Sequence, residues 1–358
     1  MSSTYGDNLK LSVFGQSHGK AIGMVLDGIP AGLSVDEEKL ADFMARRMPG
    51  TGAYTTARKE PDKVVFLSGI VDGCTCGAPI TAMIENADAK LADYAQLKHT
   101  PRPGHADYTA QVKYNGFQDA AGGGHFSGRL TAPLCIAGGL CKQWLEEMGI
   151  HVGAHITQVG NVRGQTFDPI DPQLCQVGQI FPTLSADAAE AFQQVITRAK
   201  DQGDSVGAKV ECAVTGIPAG LGEPMFGGVE NRIAQIVYGI PAVKAVGFGC
   251  GEDFASLFGS ESNDAFQMID GKILTRTNRC GGILGGITTG MPVIFTVTFK
   301  PTPSIAKPQQ TVDLRTGEAV TVEVTGRHDP CVAVRAVPVV EAAAAVAVYD
   351  MILGNRRM

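Results

Sequence analysis

Cysteine pairs at metal-binding spacing are missing from this 358-residue chain. Its nine cysteines are scattered, and the one close pair, Cys74 and Cys76, has a C-x-C spacing that matches no common zinc framework. Reduced thiols are the expectation, with no metal centre. Charge of one sign is also scarce: a net charge of −6, with 18% of residues charged, excludes the basic face of a general nucleic-acid binder and leaves room only for a local basic pocket. No uninterrupted hydrophobic run is long enough for a membrane span. Ala342 to Leu353 is broken by Asp350 and falls short of the ~20 residues required, so it reads as a buried helix. Met1 to Lys10 is polar, without the apolar segment and cleavage site of a secretory signal, so a cytoplasmic location is expected. The familiar catalytic signatures G-x-S-x-G, G-x-x-x-x-G-K-[ST] and H-E-x-x-H are absent as well.

What is present is a 44% hydrophobic composition, enough for a sizeable core. The 45 glycines and 19 prolines are spread along the chain, not gathered into a linker, so a single compact domain over 1–358 is expected. Within it the chain repeats itself. Gly28-Ile29-Pro30-Ala31-Gly32-Leu33 recurs identically as Gly216-Ile217-Pro218-Ala219-Gly220-Leu221, each copy between a strand-like and a helix-like stretch. Gly69-Ile70, Gly73, Thr75, Gly77 and Pro79 return at the same spacing as Gly282-Ile283, Gly286, Thr288, Gly290 and Pro292. The period-two runs Ile80 to Ile84 and Val293 to Phe299 follow. Arg129 with Pro133, and Arg335 with Pro338, each open an Ala-rich apolar helix. Two halves of like architecture, about 1–150 and 151–358, are the expectation.

Ser34 with Glu37 has the spacing of a capping box ahead of Leu40, Phe43 and Met44, and Ser185 starts a second amphipathic helix carrying Phe192, Val195, Ile196 and Ala199. Leu130 to Met148 and Val337 to Leu353 are apolar around most of their circumference, as buried helices are. Strands such as Val206 to Val214 would cover them. The expected fold is α+β, a β-α-β sandwich with a central layer of buried helices between antiparallel sheets, internally duplicated.

Four clusters combine a proton carrier with turn residues. Phe14-Gly15-Gln16-Ser17-His18-Gly19 ends a strand and sets a hydroxyl beside an imidazole, which moves protons near neutral pH; an ordinary turn histidine remains the alternative. Pro101-Arg102-Pro103-Gly104-His105-Ala106-Asp107 holds an arginine and a histidine on a stiff loop, reading equally as a site or a structural corner. Gly122-Gly123-Gly124-His125-Phe126-Ser127-Gly128-Arg129 enters a buried helix, where backbone N–H groups and the helix dipole suit an anion. Gly326-Arg327-His328-Asp329-Pro330-Cys331, with Arg335 and Glu341, places ionisable groups at the start of the other apolar helix, for use or for internal pairing. His151 and His155 share a strand face, where a structural or exposed role is expected.

In this order, Gly-Gln-Ser-His-Gly (15–19), Arg-Pro-Gly-His-Ala-Asp-Tyr (102–108), Gly-Gly-Ile-Leu-Gly-Gly-Ile (281–287) and Gly-Arg-His-Asp-Pro-Cys-Val (326–332) resemble the signatures of the chorismate synthase family, from about Tyr5 to Leu353. The resemblance implies an anti-1,4-elimination in which 5-enolpyruvylshikimate 3-phosphate loses phosphate and a C6 hydrogen to give chorismate, the last common step of the shikimate pathway toward aromatic amino acids. It implies reduced FMN as cofactor, returned unchanged overall, and a homotetramer. No flavin-reductase segment is evident, so the reduced flavin would come from an external source. By motif match, His18 would protonate the departing phosphate, His105 would manage the proton near flavin N1, and Asp329 would help deprotonate N5. Substrate would meet Ser17, Arg47, Arg102, Arg129 and Arg335. Flavin would meet His125, Phe126, Ser127, Ala242, Gly285, Lys300, Pro301, Thr302, Pro303, Ser304 and Arg327. Two carboxylates and two phosphates call for such clustered arginines.

The chain departs from the family pattern at Ala53 and Ala121, where many members have arginine, and in reading His125-Phe-Ser-Gly-Arg129 where many have Arg-Ser-Ser-Ala-Arg. Two rival readings follow: a flavin-independent lyase that binds a polyanion through the same arginines, or a non-catalytic flavin- or anion-binding protein. Dependence on reduced flavin separates the first from the family reaction. Retention of both histidines and Asp329 speaks against the second.

Overall fold

The computed structural model describes residues 3–48, 62–86, 99–178, 180–324 and 329–355. The period-two stretches become two five-stranded antiparallel sheets. The first contains β1 (Thr4–Tyr5), β2 (Lys10–Gly15), β3 (Ala21–Asp27), β4 (Val65–Ser68) and, after the small hairpin β5 (Ile70–Val71) and β6 (Cys74–Thr75), strand β7 (Ile80–Glu85); its order is β1-β2-β3-β7-β4. The second contains β8 (His151–Val159), β9 (Val162–Arg163), β10 (Ala208–Thr215) and β11 (Val243–Phe248). Two hairpins follow, β12 (Phe266–Ile269) with β13 (Lys272–Thr275) and β14 (Ile283–Leu284) with β15 (Ile287–Thr288). Strand β16 (Val293–Phe299) then completes the second sheet in the order β11-β16-β10-β8-β9. A last hairpin pairs β17 (Gln309–Val312) with β18 (Ala319–Val322).

The two orders superimpose strand for strand, β2-β3-β7-β4 on β8-β10-β16-β11, and both edge strands β4 and β11 carry a register shift. The glycine-proline echo has a matching physical cause. Thr75 Oγ1 accepts from Leu33 N at 2.9 Å and donates to Pro30 O at 2.7 Å, while Gly32 N donates to Thr75 O. In the second half Thr288 Oγ1 accepts from Leu221 N at 2.9 Å and donates to Pro218 O at 2.6 Å, and Gly220 N donates to Thr288 O. One threonine therefore clasps each turn by both of its ends.

Between the sheets lie α3 (Thr131–Glu147), packed on β3 and β7, and α7 (Ala333–Gly354), packed on β8, β10 and α3. Shorter helices flank them. Among these, α1 (Glu37–Ala45) lies on α3 and α5 (Val229–Val237) on α7, while α2 (Asp107–Lys113), α4 (Ala186–Asp201) and α6 (Gly259–Ser262) complete the set. A continuous apolar core runs from Leu9, Ile22 and Ile80 through Leu140 and Trp144 to Val340, Val348 and Phe295. The α+β sandwich with central helices is thus the observed architecture. The central pair approaches closely at Gly138, where a Cβ would stand 2.3 Å from both Cα and Cβ of Ala342.

Two local expectations need correction. Helix α1 is capped by Asp36, whose carboxylate accepts from Glu38 N and Lys39 N at 3.0 and 2.9 Å, and not by Ser34. Ser34 is withdrawn from capping because its backbone bridges to Cys74 and its carbonyl accepts from Trp144 Nε1. Helix α7 starts a turn earlier than Val337, and Pro338 lies inside it, where its missing N–H leaves one intrahelical bond unmade. At 22 residues it is long and apolar enough to cross a membrane by composition, but 94% of that stretch is buried inside the molecule. Ser185 caps α4 as expected, accepting from Ala188 N.

Candidate active site

The glycine triplet is the centre of the site, and it is a wall, not a hinge. Gly122, Gly123 and Gly124 have φ of 60°, 89° and 51°, all in the region that L side chains avoid. A Cβ on Gly122 would stand 2.1 Å from His18 Cε1 and 2.6 Å from Ser17 Oγ; one on Gly123 would stand 3.1 Å from His105 Cε1 and Nε2. Two histidines from separate loops therefore meet one strip of backbone. Ser17 N donates to Gly124 O, and Ser17 Oγ lies 2.7 Å from His18 Nδ1, with Ser17 itself buried.

From this wall the contacts run both ways. On one side Arg102, 4% exposed, lies between the His105 ring, the Asp107 carboxylate and Ser304 Oγ, the last at 3.1 Å. Burial raises the pKa of Asp107, but Arg102 and His105 outweigh it and hold the carboxyl far below its ordinary range. Ser304 belongs to the loop that leaves β16. There Lys300 Nζ donates to Gly104 O, Lys300 N donates to Ala242 O, and Thr302 Oγ1 donates to Asp329 O at 3.0 Å. Burial and neighbouring Lys244 lower the Lys300 pKa.

Asp329 then pairs with Arg335 Nη1 at 2.6 Å, and Arg335 Nε donates to Arg47 O at 2.9 Å. Arg47 pairs with Asp62 at 2.6 Å, Asp62 with Arg129, and Arg129 Nε with Asn86 Oδ1 at 3.2 Å. Asn86 Nδ2 closes the circuit by donating to Gln16 O and Gly19 O, the two ends of the His18 turn. All eight residues sequence reasoning selected for catalysis and substrate lie on this ring of contacts. Asp62 is buried, which raises its pKa, yet the guanidiniums of Arg47 and Arg129 bring it below the ordinary value; burial lowers that of Arg335. Arg47 and Arg129 thus share one buried carboxylate.

The flavin candidates divide. Phe126 and Ser127 lie beside the wall, Ser127 Oγ accepting from Arg129 N; exposed His125 contacts Ser3 Oγ and Gly15 O. Ala242 and Lys300, Pro301, Thr302, Pro303 and Ser304 adjoin the Arg102 loop. Gly285, in the turn between β14 and β15, stands at the opposite end of β16, a seven-residue strand that spans ~23 Å. Arg327, His328 and Ala53 lie outside the described residues. Glu341 also leaves the cluster: six residues at 100° each turn it to another side of α7 from Arg335. There it takes Arg46 at 2.6 and 2.8 Å and Lys142 at 2.9 Å. That pairing lines a cavity of about 860 Å³ with His151 and Leu174 that contains none of the selected residues. His155 is paired with Glu211 at 3.0 Å and packed on Phe167. Asp62 and Asn86 were not selected from sequence; only Asn86's place at the end of a repeated strand hinted at it.

Comparison with known proteins decides the family. A chorismate synthase family profile matches residues 9–353. The chain belongs to the chorismate synthase family. It is 44% identical over 353 residues to a chorismate synthase of Korarchaeum cryptofilum, covering 99% of this chain and 98% of the relative. It is equally 44% identical over 351 residues to one of Thermococcus kodakarensis, covering 98% of each. A crystal structure of chorismate synthase superimposes with a TM-score of 0.76 at 27% identity, over 98% of this chain and 93% of that one. The chorismate synthase family consists of carbon–oxygen lyases of the shikimate pathway, so the chain is read as a lyase.

Proposed function

We propose that the protein converts 5-enolpyruvylshikimate 3-phosphate to chorismate by anti-1,4-elimination of phosphate, with reduced FMN as its required cofactor. The observation that carries this reading is the meeting of His18 and His105 at Gly122 and Gly123, inside a ring that also holds Arg47, Arg102, Arg129 and Arg335. When bound, reduced flavin would supply electron density for C–O cleavage and an acceptor for the C6 hydrogen. The residues present suit it: Lys300 to Ser304 form a proline-stiffened edge for a phosphate, tied to the Arg102 loop by Lys300 and Ser304. Arg47, Arg129 and Arg335 bind the substrate's anionic groups. His18, with Ser17 at its Nδ1, protonates the departing phosphate oxygen; His105 would hold a proton beside the flavin ring, and Asp329 would accept one from it.

The reading extends to a homotetramer in the cytoplasm, supplied with reduced flavin by another protein. Association is supported by the exposed apolar side chains Phe226, Phe258, Phe266 and Met268. Anaerobic turnover with chemically reduced FMN present or omitted is the test. Chorismate and phosphate should appear only with the flavin. His18→Ala and His105→Ala should each lower turnover by about 10²- to 10⁴-fold with flavin still bound; product without flavin favours the flavin-independent lyase, and ligand binding without product favours a binding protein.

A further inference from the structure

The Asp107 carboxylate has no part in the chemistry assigned so far, yet it is held by four polar contacts. Its Oδ1 lies 2.6 Å from His105 Nδ1 and 2.8 Å from Arg102 Nη2, and its Oδ2 accepts from Arg102 N at 3.0 Å and Nε at 2.7 Å. Arg102 is anchored in turn by Ser304. Kept ionised by these partners, Asp107 only accepts hydrogen bonds, so His105 Nδ1 carries the hydrogen in the 2.6 Å contact. Nε2, the ring's other nitrogen, is then left as an acceptor beside the Gly123 backbone, with Arg102 Nη2 at 3.3 Å.

We propose that Asp107 is a positioning residue that holds His105 in the Nδ1–H tautomer and sets its ring plane, so that Nε2 is the atom exchanging a proton with the bound ligands. This rests on the reaction proposed above for its kinetic arm, and on geometry alone for its spectroscopic arm.

The contacts dictate what Asp107→Asn does. The Oδ2 position faces two N–H donors of Arg102, so the amide oxygen settles there and the amide NH₂ takes the Oδ1 position. His105 Nδ1 then meets a donor and must become an acceptor, which moves the ring hydrogen to Nε2. The experiment uses the full-length protein labelled with ¹⁵N-histidine, with the His105 signals assigned by their loss in His105→Gln. Wild type should show a protonated, pyrrole-type Nδ1 at the pH of maximal turnover; Asp107→Asn should show a pyridine-type Nδ1. Turnover with reduced FMN should fall by about 10²- to 10⁴-fold, with KM for the phosphate ester within about threefold.

Rate loss without the tautomer change, or the change without rate loss, overturns the proposal. If Asp107→Asn does not fold, the wild-type spectrum decides alone, because an unprotonated Nδ1 there contradicts the assignment. A wild-type protein that makes no chorismate but shows both tautomers as stated removes the proposed reaction and leaves the positioning of His105 standing.

Discussion

Gly122→Ala is the perturbation that loads the site most directly. The new Cβ would lie 2.1 Å from His18 Cε1, 2.2 Å from Nδ1 and 2.6 Å from Ser17 Oγ, where ordinary carbon contacts begin near 3.5 Å. Relief requires the imidazole to retreat by more than 1 Å, since Gly122 is held by its neighbours and Ser17 N is tied to Gly124 O. That retreat breaks the 2.7 Å Ser17–His18 contact. A displacement of about 1 Å at a reacting group costs on the order of 10²-fold in rate, and the positive φ adds a backbone penalty of about 1 kcal/mol. The expected result is turnover reduced about 100-fold, with flavin affinity unchanged and a modest loss of stability. Gly123→Ala supplies the scale. Its Cβ would reach only 3.1 Å from the His105 ring, which yields by a few tenths of an ångström, so its loss should stay within about tenfold. The assay is anaerobic stopped-flow formation of chorismate, with circular dichroism to verify folding. Gly122→Ala turning over within twofold of wild type would refute the argument that this glycine exists to seat His18.

Asp350 on α7 is a buried carboxylate that accepts from the backbone N–H of Asp7, Asn8 and Leu9 at 2.7 to 3.1 Å. Asp350→Ala strands those donors and should cost about 3–5 kcal/mol in urea unfolding; a loss below about 1 kcal/mol would mean water replaces it. Glu341 gives a pH signature. Burial raises its pKa, but Lys142 and Arg46 prevail and lower it below its ordinary value, so its stabilisation is complete above the unfolded pKa of about 4.3 and is lost as pH falls through the lower folded value. Urea midpoints should therefore drop below about pH 4 in wild type. Glu341→Gln should be less stable at pH 7 and show a shallower drop; equal slopes would place the acid sensitivity elsewhere.

The parts of the fold visible in sequence were those with a local cause. The repeated Gly-Ile-Pro-Ala-Gly-Leu turns and their partner threonines reflect one hydrogen-bond clasp made twice, and the all-round apolar stretches reflect burial on several sides. The ring of site contacts was visible only as separate loops, because nothing in a chain of residues says that Gly122 touches His18. Asp62 lies between two arginines that are distant from it in sequence, and Asn86 acts on a turn 67 to 70 residues before it. Glu341 was misplaced with Arg335 because proximity in sequence on a helix is not proximity on one face. Ser34 lost its cap to Asp36 because a bridge to Cys74 and a bond from Trp144 hold it elsewhere, competition that no spacing rule contains.

The close crossing at Gly138 and Ala342 makes the two central helices behave as a calibrated spacer. Arg129 stands at the mouth of α3, nine residues or ~14 Å before Gly138, and Arg335 lies seven residues before Ala342 on α7. The gap between the two guanidiniums is consequently set deep in the core, by a contact with no polar atom in its side chains. A methyl group added there would separate the helices and change which anions the arginines span, without touching either one. On the proposed function, ligand selectivity would therefore depend on the packing of the interior as well as on the arginines themselves.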